Sequence, residues 1–273
     1  SLLTMEVLSL LLMLLAGTQA ASIHRRWRER AFNVVMNMAP NSFDDQYRRC
    51  HFKMLRALPA LNRTEFVPYG DYAVAWNKAA AIWDSRPYPR PPLLLEQALA
   101  LTAYTMEEGL YLEFNKATRS AGRSRREYLH AFHFKALHFL LTEALRELRS
   151  ARSQPRCLHV YRGVRIRFIA VLGRIVRFGQ FASTSLLQTV SESYGTSTTF
   201  EVDTCYGADI REFSDYPEEQ EVLIPPFETF KVTKITHEGN ETYIHLRSHG
   251  VHSNYNCAWF RGDVPGVGTL QLG

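Results

Sequence analysis

The stretch "YPEEQEVLIPP", Tyr216 to Pro226, sets three carboxylates, Glu218, Glu219 and Glu221, directly ahead of an apolar run that ends on two prolines. Val222, Leu223 and Ile224 are β-branched or bulky, and Pro225-Pro226 cannot continue a helix, so Glu219 to Ile224 is predicted to form a short strand. In a strand, residues i and i+2 share a face about 7 Å apart. Glu219 and Glu221 would then project together while Gln220 points away. Two adjacent carboxylates repel, which raises at least one pKa and has to be offset by a cationic partner or put to chemical use. The plain alternative is a run of like charge on a solvated face.

Around this stretch the chain divides into two patterns. From Trp27 to about Ser150 apolar residues recur at helical spacing, as in "YAVAWNKAAAIW", "LLLEQALALTAYT" and "EYLHAFHFKALHFLLTEALREL", with loops at "SRPYPRPP" and "RSAGRSR". After "SQPRC", from about residue 157, short segments alternate with period two: "LHVYRGV", "TTFEVDTC", "EVLIPP", "FKVTKITHE" and "TYIHLRS". Helices followed by strands, with no Gly- or Ser-rich linker between them, predict an α+β fold. It would be one domain over 21–273, with a helical region packed on a sheet core.

The 273 residues, 46% hydrophobic and with a formal charge of +5, have an ordinary globular composition. The apolar run from Val7 to Ala16, followed by Thr18 and Ala20 at cleavage-site positions, predicts a signal peptide over residues 1–20. The run is too short to span a bilayer. No Lys or Arg precedes it, and Met5 is the expected start. A secreted chain places Cys50, Cys157, Cys205 and Cys257 in an oxidising compartment. Their wide spacing, without a C-x-x-C pair, then points to two disulfides rather than a metal, with three pairings open from counting. Asn62 and Asn240 head glycosylation tripeptides. The C-terminal segment lacks a tail of the length a lipid-anchor signal needs, so a soluble, monomeric product without a stable membrane anchor is expected, in the secretory lumen or outside the cell.

Other chemistries find little support. The basic cluster from Arg119 to Tyr128 lacks interleaved aromatics and reads as a solvated loop, so no nucleic-acid partner is expected. Arg261-Gly262-Asp263 is too short to carry an adhesion reading. His130, His133 and His138 do not share one helical face and read as packing residues, and no metal is expected. There is no G-x-S-x-G elbow and no Gly-rich dinucleotide loop.

Three ordered pieces carry a resemblance. "VYRGV" holds Arg162 in a strand, "GQFASTS" gives an aromatic-x-Ser-Thr-Ser turn that begins at Ser183, and "EEQEVLIPP" gives Glu219-x-Glu221. Arg, then Ser-Thr-Ser, then Glu-x-Glu resembles the signature of the arginine-specific mono-ADP-ribosyltransferases of the vertebrate ecto-enzyme family, whose fold is similar to that of several bacterial ADP-ribosylating toxins. "MAPNSFDDQYRRC", "YAVAWNKAAAIW" and "FHFKALHFLLTEAL" resemble that family's N-terminal region, so the likeness covers roughly 25 to 260. The missing anchor tail is more similar to secreted, avian-type members.

The resemblance implies a helical region packed on a sheet core with an NAD cleft. It also implies transfer of ADP-ribose from NAD, as co-substrate, to exposed arginines of acceptor proteins. Cleaving the nicotinamide–ribose bond builds an oxocarbenium-like cation that a carboxylate stabilises. On this reading Glu221 meets the ribose, Ser183 holds Glu221, Arg162 grips phosphate and Glu219 faces the incoming guanidinium. Tyr194, in the segment "LLQTVSESYGTSTTF", would stack on nicotinamide. The family's nested arrangement implies Cys50–Cys257 and Cys157–Cys205. The alternatives are NAD hydrolysis, in which water replaces arginine, and a silent binding module. For Arg162 the alternative is a buried ion pair with the acids, and for Ser183 a turn-forming role.

Overall fold

Helix gives way to strand where the sequence pattern changes. The computed structural model describes residues 33–66, 70–85, 92–106, 109–151, 155–260 and 270–271. The signal peptide expected over 1–20 and the Arg261-Gly262-Asp263 tripeptide lie outside the described residues. The helical part comprises α1 His51–Glu65, α2 Gly70–Asp84, α3 Leu95–Thr105, α4 Leu110–Ala121, α5 Arg125–Ala131 and α6 Lys135–Ser150. α6 is buried almost all round, from Lys135 to Leu145, as a helix at the centre of a packed layer must be. α3 is buried from Gln97 to Tyr104, and its start is tied down by the Gln97 side chain, which accepts from the Leu94 N–H at 2.8 Å.

Two expectations need correction here. The segment from Glu127 to Leu148 reads as one helix but breaks at Phe132–Phe134. Phe132 and Phe134 are both fully buried, and extended backbone puts i and i+2 on one side where a helix would separate them. The new N-terminus is capped from α1: the Glu65 carboxylate accepts from the N–H groups of Lys135 and Ala136 at 2.8 and 3.0 Å. The basic cluster is likewise no solvated loop throughout. Arg119 lies in α4, Arg125 opens α5 and donates to the carbonyls of Ala258 and Phe260, and Tyr128 is buried and stacked 4.0 Å from Phe43. Of the three histidines only His138 is fully buried, between the Tyr47 hydroxyl and the Phe43 carbonyl; burial pushes its pKa down to about 3.

The strands are β1 Val34–Val35, β2 Leu158–Val164, β3 Phe168–Ile169, β4 Ile175–Val176, β5 Ala182–Ser185, β6 Thr198–Thr204, β7 Ala208–Asp209, β8 Glu221–Ile224, β9 Glu228–Glu238, β10 Glu241–Val251 and β11 Leu270–Gln271. A further helix, α7 Gln188–Tyr194, lies in the strand-rich half, where no helix was expected. The main sheet runs β4-β9-β10-β6-β2-β5-β8-β7, with β11 on β10. Only β6 and β10 pair in parallel along that order. β2 and β5 are joined by a single residue pair, Tyr161 with Ser185, whereas β2 and β6 pair over seven residues. The sheet is therefore two curved halves meeting at a narrow seam.

Strand alternation divides the core. Val222 and Ile224 pack with Val160, Phe200, Val202 and Phe230 between the sheet halves, while Leu223 packs with the helical layer. Glu221 has the parity of Leu223 and faces the helices.

The pairings Cys50–Cys257 and Cys157–Cys205 are both present. Around the first, Asp44 pairs with Arg177 at 2.7 Å and accepts from the Asn254 and Tyr255 N–H groups, and Asp45 accepts from those of Cys257 and Ala258. The second closes a loop with a sequence separation of 48. Replacing Cys157 and Cys205 together by Ala is expected to lower stability by about 4 kcal/mol in a urea titration. An unchanged midpoint would contradict that.

Candidate active site

The three pieces singled out by sequence meet at the seam. Arg162 lies on β2, partly buried, and its Nη1 donates to the Ser183 carbonyl on β5 at 2.6 Å. That bond uses one of the five guanidinium donors, and it is the only side-chain hydrogen bond of Arg162 among the described residues. No close ion pair joins Arg162 to either acid among the described residues, although the Glu221 charge bears on it. Burial lowers the guanidinium pKa, opposed by the nearby Tyr104 and Glu221. A desolvated cation with spare planar donors suits an anionic group such as a pyrophosphate.

Ser183 is not in a turn: it sits in β5, opposite Leu223 of β8, and shares that residue's face. The ladder continues through Ser185 opposite Glu221, so Ser183 is the diagonal neighbour of Glu221 on one face. Ser183 and Ser214 lie close enough to the Glu221 carboxylate to favour its ionised form. Glu221 is only 7% exposed, and its pKa is raised to about 7, chiefly by desolvation, with Glu219 pushing the same way and Ser183, Arg162 and Ser214 opposing. A carboxylate held dry and near neutrality is poised to gain when positive charge develops beside it.

Glu219 does not continue the strand. Pro217–Glu219 forms a single 3-10 turn, Gln220 follows with φ 47° and ψ 51°, and β8 begins at Glu221. The left-handed residue rotates the chain between the two acids, so strand alternation does not set their shared orientation. The Glu219 carbonyl accepts from the Ser185 hydroxyl at 2.6 Å, and Oε1 of its carboxylate accepts from the Tyr194 hydroxyl at 2.5 Å. Tyr194 is the last residue of α7, not a loop residue, and is 55% exposed.

Tyr104 and Ser214 border the site, and the sequence did not disclose them. Tyr104, buried on α3, takes a hydrogen bond from Asn115 at 3.0 Å, lies 3.5 Å from the Ser183 hydroxyl and is pushed up to about 12 by burial. α3 also fixes the loop bearing Ser214: the Thr102 hydroxyl donates to the Phe213 carbonyl, and the Thr105 hydroxyl accepts from the Asp215 N–H. The Arg119 charge bears on Arg162. A tyrosine in an apolar helix and a serine in an irregular loop carry no periodic signal. The described residues contain no group of three or more His, Cys, Asp or Glu that could hold a metal ion.

A buried carboxylate beside two serines, near a partly unsatisfied arginine at a sheet seam, is suited to breaking a glycosidic bond to a phosphorylated sugar. The comparisons with known proteins agree. The family model for NAD:arginine ADP-ribosyltransferases matches residues 36–254, and the chain belongs to that family. It is 49% identical to NAD(P)(+)--arginine ADP-ribosyltransferase 2 of Gallus gallus, over 98% of this chain and 89% of that one. It is 47% identical to the GPI-linked NAD(P)(+)--arginine ADP-ribosyltransferase 1 of Mus musculus, over 87% and 77%. The crystal structure of the eucaryotic mono-ADP-ribosyltransferase ART2.2 superposes with a TM-score of 0.71 at 36% identity, covering 82% of this chain and 98% of that one. A variant of ART2.2 has been solved in complex with NAD, with a TM-score of 0.69.

Proposed function

We infer that the protein transfers ADP-ribose from NAD to arginine side chains of acceptor proteins, releasing nicotinamide, and that Arg162, Ser183, Glu219 and Glu221 carry the reaction. The observation that bears most weight is the buried Glu221 carboxylate at the seam, with its pKa raised by burial and lowered by nearby Ser183. Arg162 binds the pyrophosphate. Ser183 orients Glu221. As the bond between ribose C1′ and nicotinamide breaks, nicotinamide leaves with the electron pair and Glu221 stabilises the cationic sugar. A guanidinium nitrogen of the acceptor then bonds to C1′ and gives up a proton, which Glu219 eases away. Family membership and the names of the relatives support the reaction, while the geometry above supports the individual roles.

The site of action is proposed to be extracellular or within the secretory lumen, supported by the signal-peptide pattern, the two disulfides and the ecto and GPI-linked names of relatives. No helix among the described residues is long and apolar enough to cross a membrane.

Incubation with adenine-labelled NAD and agmatine should yield labelled ADP-ribosylagmatine and free nicotinamide. Free ADP-ribose alone would favour hydrolysis, and no product would leave a binding module. Because burial sets the Glu221 pKa to about 7, nicotinamide release should level off above that pH and fall about tenfold per unit below it. A flat profile down to pH 5 would contradict the role of the ionised group. Arg162→Lys keeps the charge but loses the planar fork, so the KM for NAD should rise about 10-fold with a smaller change in kcat. An unchanged KM would remove Arg162 from the binding of NAD.

A further inference from the structure

We propose that Tyr194 is a positioning residue for the acceptor side of the reaction: its hydroxyl holds the Glu219 carboxylate in the orientation that receives the guanidinium. The proposal deepens the acceptor role given to Glu219 above and rests on it.

The backbone of Glu219 is already fixed from three sides. Its carbonyl accepts from Ser185, its N–H donates to the Tyr216 carbonyl at 3.1 Å, and the next carbonyl, of Gln220, accepts from the Leu186 N–H at 3.2 Å. The side chain is not fixed by these bonds, and a glutamate has three torsions to settle. Its one side-chain hydrogen bond among the described residues comes from Tyr194, at 2.5 Å to Oε1, and none of those residues donates to Oε2. One oxygen is held and the other is offered. A phenol donating to a carboxylate is a charge-assisted bond, stronger and more directional than one between neutral groups.

Holding Glu219 requires that Tyr194 itself be held, and the seating of α7 provides this. Gly163, the residue after Arg162 on β2, lies so close to α7 that an added Cβ would stand 2.1 Å from the Ser191 carbonyl oxygen and 2.3 Å from that of Gly195. Gly195, directly after Tyr194, has φ +148°, and a Cβ there would stand 2.5 Å from the Arg165 amide nitrogen. Only glycine permits this approach at both positions. The C-terminal end of α7 is thereby seated on the strand that carries Arg162, and Tyr194 reaches across the seam to the turn that carries Glu219. The tyrosine thus couples the half of the site that binds phosphate to the half that meets the acceptor.

The test is Tyr194→Phe, which keeps the ring for any contact with nicotinamide and removes only the hydroxyl. The kcat/KM for agmatine modification is expected to fall about 10-fold, mostly through the KM for agmatine. Nicotinamide release without agmatine should fall clearly less than agmatine modification, as expected for an interaction on the acceptor side. Added to Glu219→Gln, the tyrosine change should have no further effect on transfer, because there is no longer a carboxylate to hold. Unchanged transfer in Tyr194→Phe, equal losses of transfer and hydrolysis, or full additivity in the double variant would each overturn the proposal. Glu219→Gln alone separates the two levels. If it spares hydrolysis while Tyr194→Phe leaves transfer intact, only the positioning role fails. If it depresses both reactions equally, the acceptor role of Glu219 fails and the positioning role with it.

Discussion

Glu221→Gln is expected to depress nicotinamide release and agmatine modification together, each by about 10²-fold or more. The substitution keeps shape and hydrogen-bonding capacity toward Ser183 and Ser214, and it removes only the negative charge that both reactions need when the sugar becomes cationic. It should not cost stability. The folded pKa of Glu221 is about 7, above the ordinary value for a glutamate, so the native state binds more protons than the unfolded chain between these values. Wild-type stability therefore declines as pH rises through that window, and the penalty of the buried charge is fully present above about pH 7. At pH 8 the variant should melt at or above the wild-type temperature, with the difference gone by pH 4. A variant that loses activity and melts well below wild type at pH 8 would assign Glu221 a structural role instead.

Glu219→Gln is expected to act on one reaction only. The carboxylate is partly exposed at the lip of the seam, beyond the dry environment of Glu221. Its anion attracts the acceptor guanidinium and eases loss of the proton, a contribution of about 10²-fold or more when the base is well placed. Water needs neither service to the same degree. Agmatine modification should fall about 10²-fold while nicotinamide release without acceptor stays within about threefold of wild type. The proposed separation of roles matches the left-handed turn at Gln220, which places one acid in β8 and the other in the preceding turn.

The site was legible in the sequence where residue type and order carried chemistry. Arg162, Ser183, Glu219 and Glu221 do converge, and the helix-then-strand pattern gave the α+β architecture. The local conformations were less legible. Gln220 adopts a positive φ that nothing in its identity announces, since glycine or asparagine usually marks such positions. The residue pattern alone therefore carries the strand on to Glu219. Ser-Thr-Ser reads as a turn on propensity, yet its pairing with β8 makes it strand, a tertiary effect that outweighs local preference. The break at Phe132–Phe134 depends on Glu65, seventy residues away at 2.8 Å from the Lys135 amide. Tyr104 and Ser214 enter the site only through the packing of α3 against the 213–215 loop. Two-residue strands such as β4 and β7 are too short to show a period.

The two acids are proposed to hold separate jobs, one serving every acceptor and one serving arginine. The most direct test measures nicotinamide release and ADP-ribosylagmatine in the same reaction for wild type, Glu219→Gln and Glu221→Gln. The ratio of adduct to nicotinamide should collapse in Glu219→Gln, and in Glu221→Gln it should stay near the wild-type value as both quantities fall. Equal losses of both products in Glu219→Gln would contradict the division and make the acids a single cooperating pair.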